Sequence, residues 1–145
     1  MPELATVTVI GVIVLVGLTM VFLKLRQNDQ VGALMEKRRA TAKIVSRADY
    51  VEGAEKIPVA LSLTADSLYY ENHDLEASFE LSRLDEIEYA EDLATGREIG
   101  ESCRVLRLRS HGAAFEFVMD KAEAAKWAVA LPAHTYGSQP SAQAV

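Results

Sequence analysis

The sequence is poor in the groups that carry chemistry. Its one cysteine, Cys103, cannot form an internal disulfide, which agrees with a reducing compartment. No histidine or basic helix start lies beside it, so it reads as a small apolar side chain at the start of a strand, not as a reactive thiolate. The three histidines, at 73, 111 and 134, lack metal-ligand spacing, and His73 and His111 fall in expected turns. There is no glycine-rich phosphate loop and no nucleophile elbow, and Ser, His and Asp are scattered. The chain is therefore expected to be no enzyme and to hold no cofactor or metal. No basic stripe interleaved with aromatics is present, which argues against a nucleic-acid partner.

The most extended absence is of charge: nothing between Glu3 and Lys24 is ionisable. Leu4 to Leu23 is an apolar run of about 20 residues, the length that spans a hydrocarbon core of roughly 30 Å as a helix. Its interruptions, Thr6, Thr8, Gly11, Gly17 and Thr19, are ordinary in membrane helices. A cleaved signal peptide would have a basic start, a shorter apolar centre and small residues at the cut, whereas this run follows Glu3 and closes on MVFLKLR. Residues 1–23 are thus expected to be a permanent single-pass anchor. Lys24, Arg26, Lys37, Arg38, Arg39 and Lys43 follow it, against only the terminal amine before it. This asymmetry predicts an N-terminus outside and a C-terminal domain in the cytoplasm, at a cell inner membrane.

The net charge of −6 conceals a division. Residues 24–47 hold seven basic and two acidic side chains, a charge of +5. Residues 48–102 hold three basic and fifteen acidic, a charge of −12, and residues 103–145 five and three, a charge of +2. A basic stretch beside a span is drawn to anionic headgroups, and an acidic body is pushed from the same surface. Residues 24–43 are accordingly read as a basic juxtamembrane linker.

Beyond it the apolar period becomes two, the mark of half-buried strands. KIVSRADYV starts the series; IPVALSLT puts Val59, Leu61 and Leu63 on one face; SLYYEN sets Leu68 and Tyr70 against Tyr69 and Glu71. ASFEL turns Phe79 and Leu81 inward, and EIEYAED opposes Ile87 and Tyr89 to Glu86 and Glu88. Asp66, Asn72-His73-Asp74 and Ser82 mark turns. RVLRLRS and AAFEFVM form a closing hairpin around Ser110, His111 and Gly112, with Leu106 and Leu108 facing Phe115 and Phe117 and with Arg107, Arg109 and Glu116 outside. Asp120 and Glu123 then read as a capping box for KAEAAKWAVAL, which Pro132 ends. Ala124, Trp127, Ala128 and Leu131 share the face expected to meet the sheet. Residues 133–145 read as a loose tail.

About seven short antiparallel strands followed by one helix with a central Trp resembles a pleckstrin-homology-like (PH-like) barrel, in which the helix closes one end of two packed sheets. SLTADSLYYEN is similar to the second and third strands of bacterial PH-like and GRAM-like domains, and FELSRLDEIEY to the segment that follows. With the hairpin and KWAVAL the resemblance covers roughly residues 40 to 132; the domain is set at 44–132. The expected architecture is a single N-terminal transmembrane helix plus this mainly-β barrel.

The resemblance implies a binding module. Its best-known ligands, phosphoinositides, need several cations around the first hairpin, where YVEGAEKI offers Lys56 against Glu52 and Glu55. The favoured expectation is a non-catalytic accessory or assembly subunit of a larger integral-membrane complex, a bioenergetic one for example; the alternative is a peripheral lipid-headgroup-binding module. Candidate protein contacts are Gly11 and Gly17 in the span, Glu86 and Glu88, and Arg97 and Glu98 in the loop DLATGREIGES. Candidate contacts with anionic headgroups are Lys24, Arg26, Lys37, Arg38, Arg39 and Lys43.

Overall fold

The computed structural model describes residues 2–135. The uncharged run forms the first part of helix α1, Pro2–Arg39, one of 38 residues and so about 57 Å long at the helical rise. Fourteen large apolar side chains from Val7 to Leu25 are each more than half exposed, a surface that water does not tolerate on a free helix. Thr19 donates its hydroxyl to the Leu15 carbonyl at 2.8 Å, so it adds no unsatisfied group to this surface. This is the one described helix long and apolar enough to cross a membrane.

The stretch read as a basic juxtamembrane linker is helical over most of its length. Residues 24–39 continue the same helix without a break. They contain no proline and are mostly strong helix formers, and Lys37, Arg38 and Arg39 place three cations at the negative end of the helix dipole. The Thr41 and Ala42 amides then bond the Arg38 carbonyl at 3.1 and 2.9 Å, turning the chain into the sheet.

The strands are β1 (Ile44–Glu52), β2 (Glu55–Leu63), β3 (Ser67–Glu71), β4 (Glu76–Glu80), β5 (Glu86–Ala90), β6 (Cys103–Ser110) and β7 (Ala113–Asp120). Helix α2 (Lys121–Ala130) and β8 (His134–Thr135) follow. The sheet order is β4-β3-β2-β1-β7-β6-β5-β8, all antiparallel. There are eight strands, not seven, because His134 and Thr135 pair with Ile87 and Glu86 instead of joining a tail. The rest of the expected tail, residues 136–145, lies outside the described residues. Nor are there two separate sheets: β1 bonds both β2 and β7, so a single sheet curls into a half-barrel. The β6–β7 hairpin turns through His111 and Gly112, both at positive φ (51° and 79°), the geometry of a two-residue turn that matches strand twist.

The period-two pattern gives the concave face. Leu61, Leu63, Leu68, Leu106, Leu108 and Phe117 are buried there, with Tyr50, Tyr70, Phe79 and Phe115 in a chain of ring contacts at 4.8–5.5 Å. Helix α2 closes the opening with Trp127, Ala124 and Leu131 buried, while Ala128 is exposed, one step off the buried face. The capping box does not form: Asp120 is the N-cap residue but makes no side-chain cap hydrogen bond. Glu123 bonds Ser46 and Lys126 instead.

The outer face of the sheet is also covered, in two places. The second half of α1 lies over β1 and β2, burying Val31 on α1 and Ala60 and Ser62 on β2. The 91–102 connection folds over β6 and β7, where Leu93 packs with Val105 and Val118. One apolar helix joined to a curled antiparallel half-barrel with a C-terminal helix is compatible with a PH-like fold.

Candidate functional site

Three polar clusters fix the elements of the fold to one another. The first joins α1 to the sheet. Arg38 donates Nε to Glu71 Oε1, and its guanidinium lies 4.4 Å from the centre of the Tyr69 ring. The Glu71 side chain is only 7% exposed, so the outward face of β3 is dry at this point. Asn28, ten residues before Arg38 on the helix, accepts a hydrogen bond from Arg47 of β1 on its carbonyl at 2.7 Å. Asn28 and Arg38 lie about three turns apart on the helix, so α1 is held at two points and cannot swing freely.

The second cluster holds the long loop. Arg107, with a side chain 9% exposed, donates to Glu88 at 2.8 Å, to Glu116 at 3.1 Å and to the Asp92 carbonyl at 3.0 Å. Glu116 also accepts the Ala94 amide at 3.0 Å. An arginine fork suits this task because it meets several oxygens at once in fixed geometry. The loop is further closed by a bridge between Asp92 and Glu98 and by Gly96 at φ 78°.

The third cluster seats α2. Trp127 Nε1 donates to Ser46 Oγ at 2.9 Å, and Ser46 donates to Glu123. That hydrogen bond, with a second from Lys126, holds the Glu123 carboxyl below its ordinary value. At the far end of α2 burial pushes the Tyr89 hydroxyl well above its usual range, and it donates to the Leu131 carbonyl at 2.7 Å.

The residues singled out from sequence fall into separate places. Gly11 and Gly17 lie on the exposed part of α1, and a Cβ at either would meet nothing within 4 Å. Glu86 and Glu88 stand side by side on β5, but Glu86 pairs with Arg109 and Glu88 with Arg107, so both carry internal ion pairs. Arg97 and Glu98 are exposed on the loop. Lys24 and Arg26 lie at the end of the apolar run; Arg38 is committed to Glu71, and Arg39 pairs with Glu36. Lys43 sits between α1 and β1 and bonds the Leu63 carbonyl through its amide at 2.7 Å. No group of three His, Cys, Asp or Glu side chains is arranged to hold a metal among the described residues.

Sequence reasoning missed the Arg38–Glu71–Tyr69 cluster and the covering of β2. A signal was present: Ala60 and Ser62 are small residues on the outer face of β2, which suits a helix at close range. Comparison of the chain with protein-family models, with characterised proteins and with solved structures gives no match.

Proposed function

We propose that this protein is a non-catalytic, membrane-anchored interaction module, an accessory or assembly subunit that docks against a larger integral-membrane complex. In this reading α1 crosses a cell inner membrane once, with the N-terminus outside and the PH-like domain in the cytoplasm. The one-sided row from Lys24 to Lys43 supports that orientation.

The observation that carries the proposal is the unbroken helix from the apolar run to Arg39, fixed to the sheet through Arg38–Glu71 and Arg47–Asn28. A flexible tether needs no such joint. A rigid one keeps a contact in the span and a contact on the domain at a fixed separation, so a partner can engage both with little further loss of freedom. Gly11 and Gly17 allow close helix approach in the span, and the loop around Arg97 and Glu98 offers exposed polar groups on the domain. The first hairpin supports the phosphoinositide alternative poorly, since Lys56 is flanked by exposed Glu52 and Glu55.

Gentle extraction from the native membrane is expected to yield a species much larger than the 15.9 kDa chain, containing an integral-membrane partner. Migration as a lone monomer or homo-oligomer in every mild detergent would overturn the subunit reading.

A further inference from the structure

A groove of about 310 Å³ lies between α1 and the β3–β4 turn, a size at the lower end of the roughly 300–1,000 Å³ usual for small-molecule sites. It is continued along the helix by a more open depression that shares Gln30, Asn72 and His73 and reaches Lys37. Its position is informative. Leu23 is the last residue of the uncharged run and Arg26 lies less than one helical turn beyond it, so the groove opens where the hydrocarbon core ends.

The lining is divided by polarity. Leu23, Val31, Ile57 and Pro58 are apolar, and Arg26, Gln30, Asn72, His73 and Asp74 are polar. Arg26 and Asp74 have opposite charges in the same groove, yet neither makes an ion pair among the described residues. Arg38, Arg39, Arg83, Arg104, Arg107 and Arg109 pair with carboxylates, and Arg47 bonds the Asn28 carbonyl. The wall that carries Asp74 is rigid. Asn72 accepts the Asp74 and Leu75 amides at 2.9 and 2.8 Å and donates to the Pro58 carbonyl at 3.2 Å.

We infer that this groove binds one phospholipid with a phosphate–ammonium headgroup, a phosphoethanolamine lipid, with its phosphate at Arg26, its ammonium at Asp74 and its glycerol end beside Leu23. A cation and a carboxylate that face one cavity without touching match a zwitterion that bridges them. An anionic headgroup would leave Asp74 opposed to like charge, and a choline could not donate a hydrogen bond to it. The inference rests on the reading of α1 as a membrane span.

The test is native mass spectrometry of the full chain in detergent, with phosphatidylethanolamine, phosphatidylcholine and phosphatidylglycerol of identical acyl chains. One phosphatidylethanolamine should be retained at least about tenfold more tightly than the other two, the scale of one or two charge-assisted hydrogen bonds. Asp74→Asn should remove that preference and Arg26→Ala should weaken retention of all three lipids alike, since all carry the phosphate, while Lys121→Ala, exposed at the start of α2 and outside the groove, should change neither. Circular dichroism of the variants should match the wild type, since both side chains are on the surface. Equal or tighter binding of phosphatidylglycerol overturns the assignment, as does a preference that survives Asp74→Asn or a retention that Arg26→Ala leaves unchanged. Binding of free phosphoethanolamine as tight as that of the lipid would overturn the membrane as its source. Alkaline carbonate extraction separates the two levels: a chain that stays in the membrane but shows no preference defeats the groove alone, and a chain that is extracted defeats the anchor and the groove with it.

Discussion

Trp127→Ala is expected to destabilise the domain by about 3 to 5 kcal/mol, the usual cost of truncating a large buried aromatic. Trp127 is fully buried and lies at the centre of the face that α2 turns to the sheet. Its loss leaves a cavity against Leu106, Leu108 and their neighbours. It also removes the indole donor from Ser46, which is itself buried, so a polar group loses a partner together with the apolar contact. Trp127→Phe should recover most of the packing and none of the hydrogen bond, and so cost less than the alanine. Denaturant titration followed by far-ultraviolet circular dichroism measures both. An alanine variant with an unchanged midpoint would mean that α2 does not close the half-barrel by this face.

Arg107→Ala is expected to cost about 3 kcal/mol and to release the 91–102 loop. Removing one partner of a buried ion pair commonly costs about 3 to 5 kcal/mol, because the other charge stays buried and unpaired. The lower end applies here: Glu116 is 12% exposed and is stranded by the change, but Glu88 is 41% exposed and is rescued by water. The Asp92 carbonyl loses its donor at the same time, so one end of the loop is no longer tied to the sheet. Limited proteolysis should then cut near Thr95–Gly96 at a rate at least tenfold above that of the wild type, by the arithmetic of about 1.4 kcal/mol per decade. Arg107→Lys should restore little, since a single ammonium cannot meet three oxygens in the geometry of the fork. A loop that resists protease equally in all variants would show that Leu93 and Ile99 hold it by burial alone.

The parts of the fold that were legible in the sequence are those governed by short-range periodicity. Strand alternation gave the inward sets at Leu61–Leu63, Leu68–Tyr70, Ile87–Tyr89 and Leu106–Leu108, and helical spacing gave the seat of Trp127. Less legible was anything decided by a partner distant in sequence. The change of composition at Leu23 marks the end of an apolar surface and says nothing of where the helix ends; with no proline to break it, the helix runs on to Arg39. Glu71 was placed on an outward face, and Arg38, thirty-three residues earlier, makes that face an interior. Glu123 has capping-box spacing from Asp120, but Ser46, seventy-seven residues away, takes its carboxylate. The two-residue β8 carries no periodic signal at all. Glu86 and Glu88 are read as free contact groups on an outer face, but they pair across strands with Arg109 and Arg107, which reduces what they can offer a partner.

In the proposed reading α1 and the domain move as one rigid body. A pair of spin labels on a Cys103→Ser background, one at Leu18 on the exposed part of α1 and one at Glu55 at the start of β2, reports it by pulsed dipolar spectroscopy in lipid nanodiscs. Both sites are exposed, so the labels disturb no packing. The account predicts a single narrow distance distribution that broadens when Arg38 and Glu71 are both replaced by alanine. A broad or multiply peaked distribution in the wild-type background would show a hinge between residues 24 and 43, and would contradict it.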